Sequence, residues 1–126
     1  AHSDYGTLTV LLGENEPGSL QVFTRNGEWI DVPIPPDSFV INIGDLLMRW
    51  TNDRWVSTLH RVVNPPPERR GHSRYSMPFF LHLNSDYPIA TWPQCISAEN
   101  PNRYPEPILA DDYLKERLIE IGLLKA

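Results

Sequence analysis

The chain has 126 residues and a formal net charge of −5. That length suits one domain able to bury a sizeable core and is short for two, while the acidic balance argues against a nucleic-acid partner, which needs a basic face. The single cysteine, Cys95, excludes an internal disulfide and fits a reducing, cytoplasmic setting, and no run approaches the ~18 apolar residues of a membrane span.

The chain opens on Ala1-His2-Ser3-Asp4 rather than on a methionine, so a piece of a longer protein is expected. In an extended segment side chains alternate, and His2 and Asp4 then point the same way. Residues 7–12 are apolar and β-rich and read as a strand, followed by a loop over 13–19. Residues 20–24 alternate and read as a second strand. Asn26-Gly27 is the strongest short hairpin signal, returning the chain through a strand at 29–32. Prolines 33, 35 and 36 interrupt, and a fourth strand is expected at 38–43, ended by a turn at Gly44-Asp45. Residues 46–50 fit either a short helical turn or a strand.

Residues 59–63 read as a strand stopped by Asn64 and three prolines. A charged, exposed loop follows over 68–72. The longest strand is expected at 73–83, with Pro78 marking a bulge or a sheet edge. Residues 85–107 look irregular. The one clear helix is expected at 111–124, with Asp111 and Asp112 at its positive end and Leu114, Leu118 and Ile121 on its buried stripe. Thirteen prolines, about twice the usual share, punctuate loops between short strands. The pattern predicts an all-β sandwich or barrel over 1–109, with a C-terminal helix over 110–126 packed outside it.

Three residues form a candidate metal site. His2 and Asp4 share a face, and His60 lies on a separate predicted strand. Two imidazoles and one carboxylate on one side of an ion suit non-haem Fe(II) and leave positions open; an H-x-D pair alone is more often a polar strand start. Arg74 and Ser76 also share a strand face, where a guanidinium can grip a carboxylate with two hydrogen bonds and a hydroxyl can add a third. His72 reads as a solvated loop residue and His82 as structural. Arg61, on the opposite face from His60, reads as a surface charge. Trp50, Trp55, Phe79 and Phe80 read as core or pocket wall, and nothing near Cys95 suggests a nucleophile.

The order H-x-D, distant H, R-x-S resembles the Fe(II)- and 2-oxoglutarate-dependent dioxygenases, in the branch similar to isopenicillin N synthase. The resemblance runs through His2-Ser3-Asp4-Tyr5-Gly6-Thr7-Leu8-Thr9, Gly27-Glu28-Trp29, Val40-Ile41-Asn42-Ile43-Gly44-Asp45, Ser57-Thr58-Leu59-His60-Arg61-Val62 and Arg74-Tyr75-Ser76-Met77-Pro78-Phe79-Phe80. It implies a double-stranded β-helix (a cupin-like jelly roll), here an incomplete part of one. It implies iron at His2, Asp4 and His60, and the far carboxylate of 2-oxoglutarate at Arg74 and Ser76. The family's N-terminal region, with its long helix and first core strands, has no counterpart in these residues. The activity implied is oxidative decarboxylation of 2-oxoglutarate coupled to hydroxylation or oxidation of a small molecule by O2. Two alternatives stand beside it: an Fe(II) oxidase of the same fold that does not use 2-oxoglutarate, since the R-x-S pair occurs in such members too, and a non-catalytic jelly-roll binding module.

Overall fold

The computed structural model describes residues 1–14 and 19–125. It is mostly β-strand with a C-terminal helix. The strands are β1 (Leu8–Gly13), β2 (Leu20–Phe23), β3 (Trp29–Asp31), β4 (Val40–Ile43), β5 (His60–Val62), β6 (Ser76–Leu81), β7 (Pro88–Ile89) and β8 (Ile108–Leu109); the helices are α1 (Asp45–Trp50) and α2 (Ala110–Glu120). Two antiparallel three-stranded sheets, ordered β4-β1-β6 and β3-β2-β5, accompany the small pair β7-β8. Of the loop expected at 13–19, Gly13 ends β1, and residues 15–18 lie outside the described residues.

Local chemistry explains most boundaries. The β2–β3 hairpin turns at Asn26-Gly27, where Gly27 takes φ +83° and its N–H donates to the Thr24 carbonyl at 3.1 Å. Pro78 pairs with Leu11 within β6, which is the edge of its sheet, so its missing N–H costs no ladder bond there. β6 starts at Ser76 rather than 73. Residues 45–50 resolve as helix, burying Leu46 and Leu47. Gly44 fits because its backbone crosses that of residues 4–7 closely. A Cβ there would lie 2.2 Å from the Gly6 carbonyl oxygen, and the Asp45 N–H donates to the Asp4 carbonyl at 2.7 Å.

The core joins Leu46, Ile89, Ala110 and Tyr113, with Trp50, Leu83 and Ile108 packed around it. The expected helix stripe is therefore corrected. α2 docks through Ala110 and Tyr113, Leu114 and Leu118 are only half-buried, and Ile121 is exposed. The helix also stops at Glu120, because Gly122 takes φ +76° and the Gly122 and Leu123 N–H groups close onto the Ile119 and Leu118 carbonyls. Trp50 packs against Trp92 and Tyr87 as expected of a core aromatic, but Trp55 and Phe79 face outward. The stretch 85–107, read as irregular, contains β7. It is held by Asn52, which is fully buried with φ +54°: its amide nitrogen donates to the Cys95, Asn100 and Pro101 carbonyls, and its side-chain oxygen accepts from the Arg103 N–H.

Sheet β4-β1-β6 is apolar on its outer face and mixed on its inner one, where Thr9, Asn42 and Ser76 stand among apolar residues. Inward it presents Leu11, Val40, Pro78 and Phe80 to a cavity. Outward, Val10 pairs with Ile41 and Phe79, Leu8 with Ile43 and Leu81, and Leu12 with Met77. Ile41, Met77 and Phe79 are 62–65% exposed.

Candidate metal centre

His2, Asp4 and His60 converge. Their ligand atoms all lie within 4.8 Å of one another, and among the described residues they form the one group of three or more His, Cys, Asp or Glu placed to hold an ion. The backbone explains the meeting. The His2 and His60 N–H groups donate to each other's carbonyls, at 3.0 and 2.9 Å, in a short bridge that seats the first residues beside β5. Alternation then aims His2 and Asp4 to one side and Ser3 to the other.

Each donor is oriented. His60 Nδ1 lies 3.1 Å from the Thr58 carbonyl. That contact requires the proton on Nδ1, which leaves a lone pair on Nε2. His60 Nε2 and His2 Nε2 lie 3.5 and 3.6 Å from Asp4 Oδ1. The other oxygen, Oδ2, accepts hydrogen bonds from Thr9 Oγ1 at 2.5 Å and Asn42 Nδ2 at 2.9 Å. One carboxylate oxygen is thus tied to the sheet and the other faces both imidazoles. Burial works against ionisation of Asp4, but the hydrogen bonds from Thr9 and Asn42, and then the charge on His60 and His2, outweigh it and hold its pKa below the ordinary value. Burial first, and then repulsion from His60, lowers that of His2, so its ring favours the neutral form that can donate a lone pair. Two imidazole nitrogens and a carboxylate oxygen are a donor set that fits Fe(II).

The three residues open onto a cavity of about 190 Å³ between the two sheets. Arg74 and Ser76 line the same cavity, with Thr9, Asn42 and Thr58 as its other uncharged polar members and a largely aliphatic wall. All five residues singled out from the sequence are therefore brought to one space. Phe80 is part of its wall, as expected. His72 is exposed in its loop, and His82 lies over Gly6 outside the cavity. Arg61 is on the opposite face of β5, bonded to Gln21 at 2.9 Å with its guanidinium 4.1 Å from the centre of the Trp29 ring. Sequence reasoning missed Thr9 and Asn42 as supports of Asp4. Their signal was available: each is a polar residue at an inward position of an otherwise apolar strand.

The family profile described as the 2OG-Fe(II) oxygenase superfamily matches residues 1–83. A 2-oxoglutarate-Fe(II) type oxidoreductase of Emericella nidulans, hxnY, is 38% identical over 115 residues, covering 91% of this chain and 32% of that protein. A solved Caulobacter crescentus structure, described as of a 2OG-Fe(II) oxygenase family protein, is 58% identical with a TM-score of 0.91, covering 96% of this chain and 39% of that one. Full-length Neurospora crassa T7H, in complex with alpha-KG and thymine, is 38% identical with a TM-score of 0.81, covering 95% and 36%. The chain thus spans between three and four tenths of the length of these relatives.

Proposed function

The chain belongs to the 2OG-Fe(II) oxygenase superfamily, and from that premise we propose that it is the metal- and co-substrate-binding part of an oxygenase that oxidises a small molecule with O2 and 2-oxoglutarate. The observation that carries this reading is the meeting of His2, Asp4 and His60 on a cavity that also holds Arg74 and Ser76. We also read residues 1–109 as the C-terminal part of a double-stranded β-helix, with 110–126 as a helix packed on it. The two facing sheets and the docking of Ala110 and Tyr113 support that division.

His2, Asp4 and His60 would hold Fe(II). Bound there, iron supplies the activation of O2 that couples loss of CO2 from 2-oxoglutarate to oxidation of the substrate. The chain supplies the rest. Asp4 offsets one unit of the metal's charge through Oδ1, while Thr9 and Asn42 keep its carboxylate from rotating. The Thr58 carbonyl fixes the His60 tautomer. Arg74 and Ser76 would hold the distal carboxylate of 2-oxoglutarate, the guanidinium and the hydroxyl both being donors on the cavity wall.

The relatives' names and bound molecules favour 2-oxoglutarate use over the oxidase reading, and an intact donor set argues against an empty binding module. The acidic balance bears only on polyanionic partners; T7H is in complex with thymine, so nucleobases stay within the class of small molecules considered. No helix of the described residues is long and apolar enough to cross a membrane.

Anaerobic titration of the full-length protein with Fe(II) and then 2-oxoglutarate tests the reading. A visible charge-transfer band should grow only when both are present, and succinate release under O2 should vanish in Asp4→Ala. Iron binding with no 2-oxoglutarate binding would hand the assignment to the oxidase reading.

A further inference from the structure

Behind the segment that carries His2 and Asp4 lies a second cleft, of about 310 Å³, into which Ser3 faces. Its members include Arg49, Ser57, Arg117, Asp45, Tyr104 and Tyr113. Three buried side-chain polar atoms among the described residues have no hydrogen-bond partner: Arg49 Nε, Ser57 Oγ and Arg117 Nε. All three belong to residues of this one cleft. Ser57 as a whole is 9% exposed. Burying an unsatisfied donor is costly, more so when it is charged, so three of them at one place point to a partner that accepts hydrogen bonds.

The two guanidiniums are held by their other ends. Arg49 donates through Nη2 to the Glu106 carbonyl at 3.1 Å, with its guanidinium 4.6 Å from the centre of the Tyr104 ring. Arg117 pairs through Nη2 with Glu120, and its guanidinium is 5.3 Å from the centre of the Tyr113 ring. The one carboxylate inside, Asp45, already accepts from Ser3 Oγ at 3.0 Å. Asp45 and Glu120 balance the two arginines in charge, but Arg49 Nε, Ser57 Oγ and Arg117 Nε still lack an acceptor. Burial and then the nearby Asp45 push the Tyr113 hydroxyl up to about 12, so it stays protonated and able to donate.

We propose that this cleft binds a small oxyanion, a phosphate or a carboxylate, between Arg49 and Arg117 with Ser57 as a third donor. Planar guanidiniums with a neighbouring hydroxyl match the geometry of such an anion. The site is separate from the cavity of Arg74 and Ser76, with the His2–Asp4 segment between them.

The test is calorimetric titration of the intact protein with inorganic phosphate at constant ionic strength. A second arm uses succinate in an Arg74→Ala background, which removes the other carboxylate-gripping residue, so that failure of the oxygenase reading and failure of this one are distinguishable. Saturable binding should appear in one arm or both, and which arm responds decides between phosphate and carboxylate. Arg49→Met and Arg117→Met should each weaken it about tenfold or more, the loss of one charged hydrogen bond. Arg54→Met, an exposed arginine bonded to the Gln94 carbonyl outside the cleft, should not. Variants are scored only if they melt cooperatively; if neither does, phosphate or succinate must shield Arg49 and Arg117 from phenylglyoxal in the otherwise unchanged protein. No binding in either arm, equal binding after both substitutions, or unshielded arginines would overturn the proposal.

Discussion

Replacing Thr9 with valine removes one hydroxyl and leaves shape and strand preference nearly unchanged. That hydroxyl is buried and donates to Asp4 Oδ2 at 2.5 Å, sharing the oxygen with Asn42 at 2.9 Å. A hydrogen bond to a charged acceptor contributes about 1.5–3 kcal/mol. Asn42 remains, so the carboxylate keeps one tether but can swing about it, and the oxygen facing the imidazoles loses its fixed position. The expected loss of Fe(II) affinity is about 10- to 100-fold, the range found when a ligand's supporting bond is removed. Anaerobic Fe(II) titration of Thr9→Val beside the parent measures this directly. Thr9→Ser, which restores the hydroxyl, should recover most of the loss. The variant should also raise the Asp4 pKa, because one of the hydrogen bonds that lower it is gone, moving the acid limit of metal binding to higher pH. Iron affinity within about twofold of the parent would refute the reasoning, since Asp4 would then be held by the fold alone.

Arg74→Ala should cost about 2–5 kcal/mol of 2-oxoglutarate binding, by analogy with truncated buried charge pairs, while Fe(II) titration stays near the parent value; Arg74→Lys should also be impaired, because an ammonium lacks the two-pronged grip. Ile89→Ala should lose about 2–5 kcal/mol in chemical denaturation, since Ile89 is 2% exposed in the core; Ile121→Ala, at an exposed position, should stay within about 0.5 kcal/mol. Asn52→Gly should be less damaging than Asn52→Ala by about 1 kcal/mol in the same assay, because glycine tolerates the left-handed backbone at φ +54° although both lose the side-chain bonds. The depressed Asp4 pKa contributes stability to the metal-free protein that is present above its unfolded value of about 3.8 and is lost as pH falls through the lower folded value; acid melts of Asp4→Asn should lack that component.

Much of the site was legible because it depends on parity. His2 with Asp4, and Arg74 with Ser76, each need only an extended backbone to share a face, and β-rich stretches of alternating side chains supply it. The distance between the two pairs, and their union with His60 in one cavity, came from the chain order of a resembled family rather than from any local pattern. Asn52 was opaque for the opposite reason. Its role depends on a left-handed backbone and on carbonyls some forty to fifty positions away, neither of which leaves a periodic trace. The helix was found but its docking face was misjudged, because the stripe was read from the leucines alone, whereas the helix begins one residue earlier and Ala110 and Tyr113, three apart on one face, are the residues that meet Leu46 and Ile89. Gly122 was the overlooked stop signal.

The way the three metal-facing residues are divided has a mechanical consequence. Asp4 is fastened through Thr9 and Asn42 to the sheet β4-β1-β6, whereas His2 and His60 are fastened to each other on the side of β5, in the sheet β3-β2-β5. An ion gripped by all three is then a rivet through two plates that otherwise meet across a cavity. Its occupancy adds to folding free energy as RT ln(1 + [metal]/Kd), about 2.7 kcal/mol at a hundredfold excess over Kd. Chelation should therefore loosen the two sheets from one another before it unravels either, and amide hydrogens along the seam, at Thr9, Asn42 and His60, should begin to exchange faster than those of α2.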